Sequence, residues 1–152
     1  MEEQKSKVYV QTDGQNRIFR CEGGYTTPAD LTGWVQIDEG TGDRYNLCQS
    51  HYFEGGLYTD DGIPRYKLMD GAAVERTVEE IAADRVPLQA IAARAQRDQL
   101  LASTDWAVLP DSPLDGTSQT ALKAYRQALR DVPQQEGFPN SISWPNMPEI
   151  TK

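Results

Sequence analysis

The chain has 152 residues, which is room for one ordinary domain or two small ones. Its formal net charge of −8, with basic residues scattered, argues against nucleic acid and membrane surfaces, both of which are held by clustered Lys and Arg. A mean hydropathy of −0.64 implies a thin core in an extended or partner-supported molecule, and the acidic surface points to a partner that is neutral or basic.

From the N-terminus, Met1-Glu2-Glu3-Gln4-Lys5 is followed by no apolar run, so neither a signal peptide nor a membrane span is expected. Cys21 and Cys48 are too few for a disulfide framework and too far apart for a zinc-ligand pair, and they read as reduced structural thiols of a cytoplasmic protein. Residues 7–70 read as β structure. Val8–Thr12 and Arg17–Cys21 alternate apolar and polar positions, and Asp13-Gly14 between them is a hairpin signal because glycine accepts positive φ. Gly23-Gly24 ends the second strand, and Gly33–Asp38 reads as a third. The segment 44–53 fits either a helical turn or a short strand. Pro64–Met69 and Ala72–Arg76 form a second hairpin around Asp70-Gly71. Six tyrosines lie in this half: Tyr9, Tyr25, Tyr45, Tyr52, Tyr58 and Tyr66. They read as cross-strand pairs stabilising a small sheet in preference to a carbohydrate- or protein-binding face.

At Thr77 the period changes from two to about three and a half. Thr77-Val78-Glu79-Glu80 is a capping box that opens a helix. Pro87 is expected to break or kink that helix near Arg85, and a second run follows from Leu88 to Ala102. Ile91, Ala95 and Leu101 share one face, with Asp98 among them paired to Arg94 or Arg97. A last helix is expected to start at Thr117 or Ser118, with an apolar stripe of Leu122, Tyr125, Leu129 and Val132, and to stop at Pro133. Arg126 and Arg130 lie together on a neighbouring face, within reach of Asp105, Asp111 and Asp131. On these residues alone, an arginine–carboxylate pair that ties the Asp105-Trp106 turn to this helix and a solvated charged face both stay open.

The C-terminal stretch carries an ordered set of motifs: Arg97-Asp98, Asp105-Trp106, Leu109-Pro110-Asp111-Ser112-Pro113, Tyr125-Arg126-Gln127-Ala128-Leu129-Arg130-Asp131-Val132-Pro133, Phe138-Pro139 and Trp144-Pro145. This succession resembles the C-terminal domain of phage tail fibre assembly chaperones, also called tail assembly chaperones. One departure is Leu122, where that pattern has tryptophan. The resemblance implies a protein that binds the distal part of a trimeric tail fibre in the host cytoplasm and assists its assembly without nucleotide, alone or as a homo-oligomer on the fibre. It implies Asp105, Trp106, Tyr125, Arg126, Arg130, Phe138, Trp144 and Pro145 as partner-binding residues, some of them as scaffold. Trp106 is expected in the core; Trp144, in its proline-bracketed tail, fits core and contact roles alike.

Nothing in the sequence points to catalysis, a cofactor or a metal. His51 is the single histidine, and Asp60-Asp61-Gly62 lacks the other ligands of a calcium loop. The expected fold class is α+β: an N-terminal small antiparallel sheet of hairpins over 1–76, a helical connector over 77–102, and a small helical C-terminal unit with a proline-rich extended tail over 103–152. The alternative function is a permanent virion component, a cap or adhesin at the fibre or tail tip, attached through its C-terminal domain.

Overall fold

Val8 and Val10 alternate with polar residues, and this period-two pattern buries both completely in the middle strand of a sheet. In the computed structural model, which describes residues 2–151, β1 (Ser6–Thr12) pairs antiparallel with β2 (Ile18–Gly23) on one side and β3 (Val35–Gly40) on the other. Val10 faces Cys21 across one ladder and Val35 across the other. The turn between β1 and β2 differs from the expected glycine turn, because the left-handed residue is Asn16 (φ 61°) and not Gly14. The Asp13 carboxylate is the cause. It accepts from the amides of Gln15 and Arg17 and pairs with the Arg17 guanidinium at 2.6 Å, which draws the chain into a longer loop ending in a left-handed residue.

The segment left open between helix and strand is helical, as α1 (Asp43–Asn46) and α2 (Cys48–His51). Two glycines let it approach the sheet. A Cβ on Gly23 would lie 2.9 Å from Cys48 Sγ, and one on Gly24 would lie 2.4 Å from the carbonyl oxygens of Tyr45 and Asn46. Cys48 thereby joins Val8, Val10, Ile18, Cys21 and Phe53 in one core. Both thiols are free and buried, and the hydrogen bond to Cys48, reinforced by burial, pushes the Cys21 thiol far above its ordinary range. β4 (Tyr66–Met69) and β5 (Ala72–Glu75) close through Asp70 (φ 53°) and Gly71 (φ 78°), the two-residue turn that Asp-Gly demands. The Leu68 amide donates to the Asn16 carbonyl at 2.8 Å and joins the hairpins.

Three of the six tyrosines in this half, Tyr45, Tyr52 and Tyr66, pack against this core. Tyr45, Tyr52, Phe53 and Tyr66 contact one another in series, edge-on or tilted. The Tyr45 and Tyr52 hydroxyls both donate to Asp38 Oδ2, at 3.2 and 2.9 Å. Burial raises the Asp38 pKa, but the hydrogen bonds from Tyr52, the Glu39 amide and Tyr45, with the Arg44 charge, outweigh it and hold the carboxyl below its usual value. A depressed folded value means stability that is complete above the unfolded pKa of about 4 and is lost as pH falls through the folded one. Asp38→Asn is therefore expected to flatten the loss of stability on acidification below about pH 4, read from urea midpoints against pH with Trp34 fluorescence as the probe.

The chain falls into two units, Met1–Ala82 and Ala83–Lys152. α3 (Val78–Ala102) starts in the first and continues into the second. Its capping box is formed as read: the Thr77 amide donates to Glu80 Oε2 and the Glu80 amide to Thr77 Oγ1. Pro87 does not break it, contrary to the expected pair of helices. A proline removes one amide bond, and the neighbouring Ala, Leu, Gln and Arg are strong helix formers that carry the helix across. The expected apolar face is packed at one end only, since Ile91 is 65% exposed and Ala95 is exposed, while Leu101 is partly buried against a core. Asp98 pairs with Arg97 at 2.8 Å. Among the described residues no helix is long and apolar enough to cross a membrane. The architecture is α+β, with two antiparallel sheets and short helices in the first unit and helices with an extended tail in the second.

Candidate functional site

The second unit is built around α4 (Gly116–Asp131), whose apolar stripe Leu122, Tyr125, Leu129 and the following Val132 is buried as its three- and four-residue spacing requires. Its start differs from the expected Thr117 or Ser118. The cap is Asp115, whose carboxylate accepts from the Ser118 amide at 2.7 Å, because aspartate one turn earlier reaches the exposed amides first. Ser118 has another use: its hydroxyl accepts from the Thr151 amide at 2.8 Å, while the Asp115 amide donates to the Thr151 carbonyl.

Those two bonds bring the tail back to the head of α4. Gln135 holds its middle, donating to the Ser143 carbonyl and accepting from the Ser143 amide, each at 2.9 Å. The tail is thus a strap over the unit. Trp144 and Ile150 pack from it onto a core of Ala107, Leu114, Leu122, Tyr125 and Leu129, joined from α3 by Leu100 and Leu101. Leu122, the departure from the family pattern, is fully buried.

Arg126 is the polar hub. Its Nη1 donates to the Leu101 carbonyl and the Thr104 hydroxyl at 2.6 and 2.7 Å, and its Nη2 meets Asp105 Oδ1 at 2.8 Å. A planar guanidinium reaches these three acceptors from two nitrogens held apart in a fixed fork, a spread that the single nitrogen of a lysine does not offer. The end of α3 and the turn after it are pinned to α4, which decides between an arginine–carboxylate tie and a solvated charged face in favour of the tie. Only the Arg126 end is buried: its side chain is 9% exposed and that of Asp105 is 66% exposed.

The pinned turn, a 3-10 helix over Asp105–Val108, sets which side chains face outwards. Ala107 is the residue that enters the core, so the expectation of a core Trp106 is overturned. Its indole N–H donates to the Ser103 carbonyl at 3.0 Å, and the ring stands 41% exposed. Val108 and Leu109 are exposed beside it, at 40% and 54%. Three large apolar side chains within four residues thus stand exposed on a polar chain, and this run is the ridge of the unit. Next to it, Val108, Lys123, Arg126 and Arg130 line a pocket of 230 Å³. Arg130 is exposed and reaches Gln127 at 3.5 Å.

The residues named from the sequence therefore separate. Tyr125 and Arg126 are buried and hold the unit together. Phe138 and Pro145 are half-buried, Phe138 beneath the Arg94 guanidinium at 5.3 Å, and Trp144 is half-buried on the core. Asp105, Trp106 and Arg130 face solvent. The sequence reading passed over Val108 and Lys123, and it named Leu109 as part of a motif but not as a contact residue. A run of large apolar residues after Trp106, and a lysine three residues before Arg126, were the available signals.

The first unit has a larger groove, 870 Å³, whose lining includes Arg44, His51, Tyr52, Phe53 and Tyr66. Arg44 lies over the Tyr52 ring at 4.6 Å. Among the described residues no group of three or more His, Cys, Asp or Glu could hold a metal ion.

Residues 90–149 match the model of the family described as phage tail assembly chaperone protein. The resemblance carried by the C-terminal motifs holds, and the match begins inside α3, so it includes the Leu100, Leu101 and Thr104 contacts of the core and of Arg126. No curated protein and no solved structure matches the chain. The family match supports a role in phage tail assembly with a phage tail protein as partner.

Proposed function

We propose, with that family match as premise, that the chain is a chaperone of tail fibre assembly, acting in the host cytoplasm on the distal part of a trimeric fibre. Three intertwining chains expose strand edges and apolar patches until they close, and such surfaces aggregate. A chaperone that covers them needs shape and apolar contact but no nucleotide. The observation that carries this reading is the ridge of Trp106, Val108 and Leu109, left outside a unit whose Trp144 is tucked onto the core. Exposed tryptophan next to aliphatic side chains, rimmed by charge, has the composition of an interface hot spot.

Trp106→Ala is expected to weaken capture of the co-expressed tail fibre polypeptide by at least about tenfold, since interface tryptophans cost about 2 kcal/mol or more on truncation. The urea midpoint of the chain should hardly move, because the ring makes little core contact. Unchanged capture with an unchanged midpoint would remove the ridge from the interface.

A further inference from the structure

We propose that the 230 Å³ pocket beside the ridge is a carboxylate socket, and that the occupant is an acidic side chain of the tail polypeptide, presented in a segment whose apolar neighbours rest on Trp106 and Leu109. The proposal rests on the chaperone reading for its partner and on the pocket's own chemistry for its ligand.

Lys123, Arg126 and Arg130 stand at positions i, i+3 and i+7 of α4, which places them along one helix face. α4 carries these three cations against one acid, Asp131, and that carboxylate is engaged by the Gln127 amide at 3.0 Å. Asp105 offsets only Arg126. Lys123 pairs with no carboxylate among the described residues, and Arg130 reaches only a neutral glutamine. The charge left over is therefore that of Lys123 and Arg130, on a chain whose net charge is −8.

The net charge favours a neutral or basic partner at long range, but salt screens that field within about 10 Å, and contact is governed by the groups that touch. At this one place an incoming carboxylate finds charge-assisted donors from two sides. The volume limits the guest, since pockets for small-molecule ligands run at about 300–1,000 Å³. Here there is room for one side chain. Val108 lines the pocket and belongs to the ridge, so the socket and the apolar surface are continuous. An extended strand with an acidic residue and apolar residues two positions to either side, all on one face, would place its carboxylate in the one and its apolar side chains on the other.

The test is a titration of the ¹⁵N-labelled full chain with acetyl-Leu-Ala-Glu-Ala-Leu-amide, whose leucines and glutamate share one strand face, and with its glutamine counterpart. The glutamate peptide is expected to bind at least about tenfold more tightly, shifting the amides of Val108 and Lys123 and the Nε–H signals of Arg126 and Arg130. A Lys123→Gln, Arg130→Gln double variant, at two exposed positions that leave the core intact, should bind the glutamate peptide no better than the glutamine one. Equal affinity for the two peptides, or shifts confined to other surfaces, overturns the socket. Self-association that the double variant abolishes also overturns it, because the occupant is then a second copy. With the co-expressed tail polypeptide, loss of its capture by the double variant supports the socket. Full capture overturns the socket as a docking point and leaves the chaperone reading standing. If the wild-type chain captures no tail polypeptide, the chaperone reading fails, and the peptide titration alone decides the socket.

Discussion

Arg126→Ala is expected to lower the stability of the C-terminal unit by about 2–4 kcal/mol. The side chain is 9% exposed and serves three acceptors on two segments, so its loss leaves the Leu101 carbonyl and the Thr104 hydroxyl without the donor around which they are arranged. Thr104 is itself 2% exposed, and water does not easily replace the guanidinium there. Asp105 is different, because its exposed carboxylate is simply solvated again, and the full cost of stranding a buried charge does not arise. The second consequence concerns function. Without the tie, the turn that carries Trp106, Val108 and Leu109 is released from α4, and the ridge loses its fixed presentation. Arg126→Lys keeps the charge but reaches fewer of the three acceptors, and should recover less than roughly half of the loss. Urea unfolding in a Trp34→Phe background measures both variants, since the remaining tryptophans, Trp106 and Trp144, then report on this unit.

Leu129→Ala is expected to cost about 2–5 kcal/mol, the range for truncating a fully buried leucine. Leu129 has no exposed surface and lies in a core of five buried residues with four partly buried neighbours. So small a core has few side chains that can shift to fill the space, which puts the cost towards the upper part of that range. The total stability of an ordinary domain is about 5–15 kcal/mol, so the C-terminal unit should be largely unfolded in this variant at physiological temperature. The expected signature is loss of the Trp106 and Trp144 emission change on adding urea, with the Trp34 transition of the first unit retained. A two-step transition in the wild type that becomes one step in the variant would be the same result seen by circular dichroism.

The elements that local chemistry dictates were legible in the sequence. The Asp70-Gly71 turn, the Thr77–Glu80 capping box and the stripe of α4 each depend on residues close in sequence. Errors arose where a second group competes. At the first hairpin a carboxylate, Asp13, overrode the glycine beside it. At Pro87 the helix propensity of the flanking residues outweighed one missing amide bond. At Trp106 the spacing of a 3-10 turn sent alanine inwards and tryptophan out, and an α-helical or extended count of positions does not anticipate that. The strap of the tail was illegible for another reason. It depends on Ser118 and Gln135 meeting residues 33 and 8 positions away, and such pairings follow from the closed fold. The ridge and its cationic neighbours came into view only once the turn was seen to be pinned.

The most direct measurement is the yield of soluble, trimeric tail fibre polypeptide on co-expression with and without this chain, resolved by size exclusion and followed by mass spectrometry of purified particles. A chaperone of fibre assembly predicts trimers only when the chain is present, a complex during assembly, and no copies in the finished particle. Trimers formed equally well without it, with the chain retained in particles at fixed stoichiometry, would contradict the account and make the protein a permanent cap of the fibre.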